Sequence, residues 1–308
     1  MKWLHPLLDI LAVVFILLLT SSSTLSQSTC VRNCLGWSQI SNPADGSIKW
    51  AKLDPLTLPI TIQSSGVINV KGAPYNAVGN AVADDTAAFQ SAITAGLAAG
   101  GTLYIPTGDY LITDELVFSA VSTVSLPLRL LGDGGYTGQG KTRLIFQPAS
   151  VKRGIVLIST QQLIFEGIEF ISGNNNVSVL IDINAVQDVL VFSTFMTTFF
   201  RSSFRPFSGT TPTIAMMQVR NAALTTFRHC WFAGDSQKII LGGPADAAAG
   251  GGTAGQTLFE QSQIYWNIEI INAINTTFRG SIFARFTPTT PVRIYPAAAG
   301  FVRQVNTS

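Results

Sequence analysis

Short β-branched or aromatic runs recur from residue 128 onward, and this recurrence limits the possible folds more than any other feature. Gly, Asn, Ser and Pro, which favour turns, lie between the runs. The runs are LRLL (128–131), RLIF (143–146), GIVLI (154–158), QLIFEGIEF (162–170), VLIDI (179–183), DVLVF (188–192), LTTFRHCWF (224–232), KIIL (238–241), TLFEQSQIYW (257–266), NIEII (267–271) and TTFRGSIF (276–283). The chain therefore builds its core from many short strands.

Phenylalanines give these runs an approximate period. Three runs share a Phe-x4-Phe spacing, and Phe192 and Phe259 begin looser copies. The three exact pairs are Phe165 with Phe170, Phe227 with Phe232, and Phe278 with Phe283. The five starts are separated by 27, 35, 32 and 19 residues. An irregular period made of strands rather than helices predicts a β-solenoid whose coils carry loops of variable length.

A β-sandwich is the alternative, because it also contains many short strands. It predicts hairpin turns such as Asn-Gly or Asp-Gly between consecutive strands. The only Asp-Gly pairs are Asp45-Gly46 in a polar segment and Asp133-Gly134 in a loop, and Asn-Gly does not occur. The turn chemistry favours the solenoid. A Gly/Ala-rich stretch at 242–256 is predicted to be a loop that leaves one coil.

One segment upstream of the repeats has helical periodicity. Apolar residues recur at three- and four-residue spacing and predict a helix over about 85–99, ended by Gly100-Gly101. The first coil of a solenoid exposes an apolar interior, so we expect this helix to cap it. Asp84 and Asp85 precede the helix and could be a catalytic pair. We interpret them as a structural cap, because a helix start favours side-chain acceptors and negative charge.

Composition and the N-terminal sequence limit which binding partners and which cellular compartment we expect. Charged residues make up only 12% of the 308 residues and the net charge is +2, without a basic tract, so nucleic acid is not an expected partner. Residues 1–26 resemble a secretory signal: Lys2 precedes an apolar run at 10–19 and a small-x-small site at 24–26. We expect a secreted protein without a membrane partner after cleavage. The alternative is an uncleaved N-terminal anchor, although Pro6 and Asp9 shorten the span.

Export has consequences for the cysteines and asparagines. Cys30 and Cys34 are close enough to form a disulfide, whereas Cys230 in FRHCWF is expected to be buried. Three cysteines and one distant mature-chain histidine lack zinc-ligand spacing, so no metal site is expected. Glycosylation sequons begin at Asn176, Asn275 and Asn306. Residues 27–66 are predicted to be an extended N-terminal arm, and 67–308 a single β-helix domain.

Four stretches occur in an order that is typical of one superfamily. They are VINVKGAP (67–74), ADDTAAFQSAI (83–93), GGTLYIPTGDYLI (100–112) and LRLLGDG (128–134). This region resembles the N-terminal part of the pectate-lyase-like superfamily, which includes polygalacturonases, rhamnogalacturonases, exo-glucanases and phage tailspikes. The resemblance implies an all-β, right-handed parallel β-helix with an N-terminal capping helix and a polysaccharide substrate or ligand. One departure is that Gly79-Asn80-Ala81 replaces the usual Gly-Asp-Gly.

The resemblance directs the search for chemistry to carboxylates after the cap. Hydrolases need a carboxylate pair, and lyases need carboxylate-bound Ca²⁺ with a base. The chain has no adjacent Asp-Asp pair beyond residue 140 and no Gly-His-Gly, so it resembles polygalacturonases in scaffold but not in site. Asp235 with Glu260 is the candidate hydrolase pair, and Asp182 and Asp188 are further catalytic candidates. The alternative is that each of these carboxylates, and also Glu269, only provides a polar, solvent-facing side chain on a turn or strand.

Candidate substrate-binding residues are cationic or aromatic. Arginine can hold a uronate carboxylate by forked hydrogen bonds, and aromatic rings can stack on sugars. The candidates are Arg201, Arg205, Arg228, His229, Trp231 and Trp266, with Arg220 as an additional arginine. Solvated loop charges and core aromatics are the alternatives.

Together with the secretory signal, the resemblance implies a secreted carbohydrate-active protein, a hydrolase or lyase that acts on or binds a polysaccharide along the β-helix. No cofactor is expected, except Ca²⁺ if the protein is a lyase. Two alternatives remain. One is a non-catalytic surface or adhesion β-helix, and the other is a fragment whose active site lies beyond Ser308. The oligomeric state is left open.

Overall fold

A computed structural model describes residues 66–119, 126–134, 141–183, 194–220, 222–234, 237–243, 254–271, 273–283, 292–294 and 304–307. The proposed signal peptide, nearly all of the arm, the Cys30–Cys34 pair, Asp188, Asp235 and most of the Gly/Ala-rich loop lie outside these residues. Within the described part, no helix is long and apolar enough to cross a membrane.

The strands form three parallel sheets. Sheet A contains β1 (Val67–Asn69), β3 (Gly101–Ile105), β6 (Leu128–Gly132), β9 (Leu163–Glu166), β12 (Thr194–Phe200), β15 (Ala222–Arg228), β18 (Ala254–Glu260), β21 (Ala273–Arg279) and β24 (Gln304–Thr307). Sheet B contains β2 (Asn80–Asp84), β4 (Gly108–Ile112), β7 (Thr142–Phe146), β10 (Glu169–Ser172), β13 (Ser203–Pro206), β16 (Trp231–Phe232), β19 (Gln263–Ile264) and β22 (Ile282–Phe283). Sheet C contains β5 (Leu116–Ser119), β8 (Ile155–Ile158), β11 (Val179–Ile183), β14 (Ala215–Val219), β17 (Lys238–Leu241), β20 (Asn267–Ile270) and β23 (Val292–Ile294).

Successive strands rotate through sheets A, B and C, so three strands make one coil. We number the coils from 1, formed by β3, β4 and β5, to 7, formed by β21, β22 and β23. Each strand pairs with its counterparts in the neighbouring coils. This arrangement is consistent with a right-handed parallel β-helix and confirms the predicted all-β solenoid. Sandwich hairpins would require antiparallel pairs, whereas all the described strand pairings are parallel.

Aromatic side chains stack along the interior, one from each of coils 3 to 7. On sheet A the ring centroids of Phe165, Phe199, Phe227, Phe259 and Phe278 are separated by 4.8, 5.2, 4.9 and 5.0 Å in that order. The spacing matches the distance of about 4.8 Å between hydrogen-bonded strands. Strand register therefore places the rings face to face, and the stack fixes the alignment of coils 3 to 7.

The interior of sheet B carries a second stack, and it corrects one sequence alignment. Phe170, Phe204 and Phe232 lie at centroid distances of 5.3 and 5.0 Å. Phe199 pairs in register with Phe165, so Phe199 and Phe204 form the coil-4 copy of the Phe-x4-Phe pair. The assignment of Phe192 as the start of that copy was wrong.

Buried threonines form a parallel column next to the sheet A phenylalanines. Thr197, Thr225, Thr257 and Thr276 occupy equivalent positions in coils 4 to 7 and are at most 1% exposed. None of their four hydroxyls has a hydrogen-bond partner. Burial of a hydroxyl without a partner costs free energy that an isosteric methyl group avoids.

We therefore expect Thr225→Val to raise the free energy of unfolding by about 1 kcal/mol, because valine keeps the β-branched shape and removes the unpaired hydroxyl. Thr226→Val is the control, since Thr226 is half-buried on the outer side of the same strand. Chemical denaturation of both variants measures the difference. A destabilised Thr225→Val would mean that the column is hydrogen-bonded internally.

The helix α1 (Thr86–Ala99) lies between β2 and β3 and packs on coil 1. Its buried residues are Phe89, Ala92, Ile93, Gly96 and Leu97. The Phe89 ring meets Tyr110 edge-on at 5.1 Å. The Gln90 side chain both donates to the Val117 carbonyl and accepts from the Val117 amide, each at 2.9 Å. These contacts join one face of the helix to the first coil.

Asp84 and Asp85 have different roles. Asp84 accepts a hydrogen bond from the Thr86 amide at 3.0 Å and one from the Thr113 hydroxyl at 2.6 Å. Asp85 is the N-cap residue by position, but its side chain makes no capping hydrogen bond. Its carboxylate instead accepts from the amides of Val78 at 2.6 Å and Gly79 at 3.0 Å. The expected cap by Asp85 is thus corrected: Asp84 contacts the helix start, and Asp85 fixes the preceding loop.

Candidate functional site

A row of alternating charges crosses the outer side of sheet C in coils 1 to 4. Glu115 precedes β5, Arg153 precedes β8, Asp182 lies within β11 and Arg220 follows β14. Asp182 stands between the inward-facing Ile181 and Ile183, so strand alternation directs it outward. Parallel register pairs Asp182 with Val156 in coil 2 and with Gln218 in coil 4. Arg153 comes three residues before Val156 and Arg220 two residues after Gln218, so the two arginines reach Asp182 from opposite ends of the neighbouring strands.

Hydrogen bonds join these four side chains into a network. Arg153 donates from Nε and Nη2 to the two Glu115 oxygens, each at 3.0 Å, and its Nη1 lies 3.5 Å from Asp182 Oδ2. Arg220 Nη2 lies 3.0 Å from both Asp182 oxygens. The Asp182 side chain is only 2% exposed, whereas that of Arg153 is 33% exposed. The network therefore buries its central carboxylate and leaves a third of the Arg153 side chain exposed.

The electrostatics favour the charged forms of Glu115 and Arg153. Burial alone would raise the pKa of the Glu115 carboxyl, but hydrogen bonds from Arg153 outweigh it and hold that pKa below its usual value. Hydrogen bonds to Glu115 likewise raise the pKa of Arg153 against the opposing effect of burial. A carboxyl with a depressed pKa stabilises the fold above its ordinary titration range and loses that contribution as the pH falls through the depressed pKa.

Sequence reasoning missed Glu115 and Arg153, although a signal was present. Asp114-Glu115 and Lys152-Arg153 are an acidic and a basic pair one coil apart, and Lys152 Nζ lies 3.0 Å from Asp114 Oδ1. The same face carries another ion pair in coils 5 and 6, where Lys238 Nζ lies 3.5 Å from Glu269 Oε2.

The described carboxylates do not form a free hydrolytic pair. Asp182 and Glu269 occupy one column but are separated by three strand spacings, or about 14 Å. Glycosidase carboxylates lie about 5 to 9.5 Å apart. Every described carboxylate is also engaged in a hydrogen bond or ion pair: Asp84, Asp85, Asp109, Asp114, Glu115, Asp133, Glu166, Glu169, Asp182, Glu260 and Glu269.

Of the candidate pair Asp235 and Glu260, only Glu260 lies within the described residues. Asp235 and the further candidate Asp188 lie outside them. Glu260 ends β18 on sheet A, away from the sheet C network. It lies between two arginines, with Oε2 at 3.0 Å from Arg228 Nε and Oε1 at 3.5 Å from Arg279 Nη1. Within the described part of the chain, no three His, Cys, Asp or Glu side chains come close enough to hold a metal ion.

Three of the candidate binding residues converge on the turn between sheets A and B. Arg201, Arg228 and His229 are all exposed there, in coils 4 and 5. The Arg201 guanidinium lies 5.0 Å from the centroid of the Phe200 ring, and His229 meets the same ring edge-on at 5.7 Å. Trp231 is partly exposed on β16 nearby.

The other two candidates lie elsewhere. Arg205 projects from sheet B and donates from Nε to Glu169 Oε1 at 2.8 Å. Trp266 is 0% exposed, and its Nε1 donates to the Ala233 carbonyl at 2.9 Å. The proposal of Trp266 as a sugar-stacking platform was therefore wrong, because the ring belongs to the core. Cys230 is also buried, as expected, and burial raises the pKa of its thiol to about 12.

The sequons differ in their surroundings. Asn176 is half-buried and its Nδ2 donates to the Pro148 carbonyl at 3.0 Å, so attachment of a glycan would break this bond. Asn275 lies in β21, where its Oδ1 accepts from the Thr277 hydroxyl at 3.3 Å. Asn306 lies in β24.

The sequence matches a known protein family. The family model described as rhamnogalacturonase A/epimerase, pectate lyase-like, matches residues 67–276. No curated protein sequence matches. Similar solved structures include the A-module of the Azotobacter vinelandii mannuronan C-5 epimerase AlgE4, with 16% identity, TM-score 0.33 and coverage of 77% of this chain and 76% of that one.

Two other solved structures are similar. The Agl-KA catalytic domain has 14% identity, TM-score 0.32 and coverage of 78% of this chain and 65% of its own. The Dettilon tailspike protein has 10% identity, TM-score 0.31 and coverage of 79% and 68% respectively. The family match extends over more than half of the sequence, from the first strand into β21. The chain belongs to the rhamnogalacturonase A/epimerase, pectate lyase-like family.

Proposed function

We propose that this protein is secreted and binds or acts on an acidic polysaccharide along the outer side of sheet C. The Glu115–Arg153–Asp182–Arg220 network is the observation that carries the proposal. Its carboxylates hold Arg153 in a fixed orientation while a third of that side chain stays exposed. Glu115 and Asp182 take three of the five N–H groups of Arg153, which leaves one on each Nη for a uronate carboxylate. Family membership supports a polysaccharide ligand.

In this proposal the network residues have separate roles. Arg153 contacts the carboxylate of the glycan. Asp182 and Glu115 are positioning residues, because they act through Arg153. Arg220 compensates the buried charge of Asp182 and so keeps it available to Arg153. The ion pair of Lys238 and Glu269 extends polar surface along the same face, over a length that several sugar rings would occupy.

We also propose a more specific function, in which the protein is an enzyme that cleaves the polysaccharide. The described carboxylates are all engaged, so a hydrolase would use Asp235 or Asp188, with Asp235 and Glu260 as the candidate pair. A lyase would need Ca²⁺ at carboxylates. The alternative is a binding-only surface protein. Reducing-sugar release from pectin, alginate or glucan would indicate a hydrolase, an ultraviolet-absorbing unsaturated uronate would indicate a lyase, and neither would favour the binding-only form.

The binding site is tested with Arg153→Gln. We expect this variant to weaken binding of polygalacturonate or alginate by roughly tenfold, because one charge-assisted carboxylate contact is lost. Arg143→Gln is the matched control, since Arg143 also pairs with a carboxylate, Asp109, but on sheet B. Titration calorimetry measures both. Equal affinities for the two variants would place the glycan elsewhere.

The structural part of the proposal concerns α1 and export. We propose that α1 caps the solenoid, since its apolar face packs on coil 1. Export by the signal at 1–26, a Cys30–Cys34 disulfide and glycosylation at Asn275 or Asn306 are proposed on the sequence. Neither nucleic acid nor membrane is a proposed partner of the mature protein.

A further inference from the structure

The outer side of sheet A is at least partly exposed in coils 2 to 6. The stacked phenylalanines point inward, so strand alternation directs the residues on either side of each ring outward. Three large apolar side chains on this side, Ile164, Met196 and Leu224, are 39%, 40% and 43% exposed. Apolar groups that share one exposed surface mark an interaction site. We call the outward residues of β6, β9, β12, β15 and β18 the A face.

Charged side chains follow a self-complementary order along the A face. Glu166, Phe200, Arg228 and Glu260 stand in register near the ends of consecutive strands in coils 3 to 6. Arg129 lies in coil 2, where its guanidinium reaches Glu166 at 2.6 Å. From coil 2 to coil 6 the face is therefore positive, negative, uncharged, positive and negative. In the reverse order each charge meets one of opposite sign.

We propose that the A face binds a second copy of this chain, face to face, about a two-fold axis that runs parallel to the strands over coil 4. Such an axis preserves the position along each strand and reverses the order of the coils. Coil 3 of one copy then faces coil 5 of the other, and coil 2 faces coil 6. Glu166 meets Arg228 of the second copy, and Arg129 meets Glu260 of the second copy. Each contact occurs twice, because a two-fold interface is isologous.

The uncharged part of coil 4 lies on the axis in this arrangement. Met196, Thr198 and Phe200 are its exposed or half-buried residues, and each meets its own counterpart there. Arg201 follows Phe200 but lies at the turn beyond the strand, with its guanidinium 5.0 Å from the centroid of the Phe200 ring. It is exposed at the rim of the face, where solvent and salt screen its charge.

The order of charges excludes other placements of the axis. An axis over coil 5 would set Arg228 against its own counterpart, and an axis between coils 4 and 5 would set Glu166 against Glu260. An axis along the solenoid would set the charged row against the apolar Met196 and Leu224. Like charges and unpaired charges across an interface are costly. The axis over coil 4 is therefore favoured over each of these.

The A face is large enough for a weak dimer. Five strands at a spacing of about 4.8 Å, each about 20 Å long, give roughly 500 Å² per copy and about 1,000 Å² for the pair. That area is at the lower limit for a specific interface, so we expect a dimer that dissociates in the micromolar range. Sheet C stays open in both copies, so the inference does not depend on the proposed function.

Glu166→Arg and Arg228→Glu test the arrangement by charge exchange. Each variant alone sets like charges against each other twice. We therefore expect its dimer dissociation constant, measured by sedimentation equilibrium on the full chain, to rise at least tenfold. An equimolar mixture of the two variants should restore the wild-type affinity to within a few-fold, because the introduced arginine then meets the introduced glutamate. The contacts with Arg129 and Glu260 within each chain are lost in the separate samples and in the mixture alike.

Met196→Glu and Ile214→Glu are a matched pair of apolar-to-charged changes. Met196 is 40% exposed and lies on the axis, whereas Ile214 is 50% exposed and immediately precedes β14 of sheet C. Met196→Glu should raise the dimer dissociation constant at least tenfold, because two carboxylates then meet at the axis. Ile214→Glu should leave it unchanged.

Two results would overturn the proposal. One is a wild-type chain that stays monomeric at about 100 µM, well above the dissociation constant that an interface of this size implies. The other is a mixture of the two charge variants that associates no better than either variant alone. If one of these variants does not fold, Arg129→Glu with Glu260→Arg repeats the exchange between coils 2 and 6.

Discussion

Asp182→Asn should lower the free energy of unfolding by about 3 kcal/mol, the cost typical of removing one partner from a buried ion pair. The substitution keeps the side-chain volume and removes the charge, so the effect does not come from a cavity. Arg220 depends on this carboxylate: within the described residues its only ion pair is with Asp182, and its Nε is buried without a partner. Arg153 is less affected because it keeps Glu115.

Glu166→Gln provides the comparison, because it also removes a carboxylate from an arginine pair. The side chains of Glu166 and Arg129 are 19% and 44% exposed, against 2% and 15% for Asp182 and Arg220. Exposed pairs contribute about 0 to 1 kcal/mol. Chemical denaturation of both variants should therefore give clearly different losses. Similar losses would show that water reaches Asp182 and that its burial does not determine the energetics.

The contacts of Asp182 also show how much of the site could be predicted from the sequence. Asp182 was a catalytic candidate because it is one of the few carboxylates after the helix, and strand alternation in VLIDI directs it outward. The sequence does not reveal that Arg153 and Arg220 flank it, because they lie 29 and 38 residues away and meet it only through coil register. The same limit applies to Asp85, whose nearest sequence feature is the helix but whose partners are the amides of Val78 and Gly79.

The fold was easier to predict than the site, since short strands and glycine-rich turns are local signals. Coil register was the exception. Two overlapping pairs in this segment have the Phe-x4-Phe spacing, Phe195 with Phe200 and Phe199 with Phe204, and spacing alone does not choose between them. Pairing between β9 and β12 makes the choice, because Phe199 then stacks on Phe165. The coils differ in length, as the irregular spacing in the sequence indicates. The phenylalanine that is equivalent to Phe165 can therefore be identified only from the strand pairing.

Phe199→Ala should cost about 4 kcal/mol of unfolding free energy, because a fully buried ring is replaced by a cavity. Phe199 is 0% exposed and stacks between Phe165 and Phe227 at 4.8 and 5.2 Å. It also meets Phe204 edge-on at 5.4 Å, so one substitution weakens both aromatic columns. Phe207→Ala is the control and should cost less than 1 kcal/mol, roughly the effect of a surface substitution, since Phe207 is 48% exposed.

The Phe199→Ala loss should also be local along the solenoid. Each coil of such a structure contacts only its neighbours, so stability is approximately a sum of coil and interface contributions. Amide hydrogen exchange should accelerate most in coils 3, 4 and 5, where the stacking partners of Phe199 lie, and least in coil 1. Uniform acceleration from coil 1 to coil 7 would contradict this and would mean that the solenoid unfolds as one cooperative unit. In that case the buried stack would couple all the coils, and substitutions at Asp182 and Phe199 would alter the same global transition.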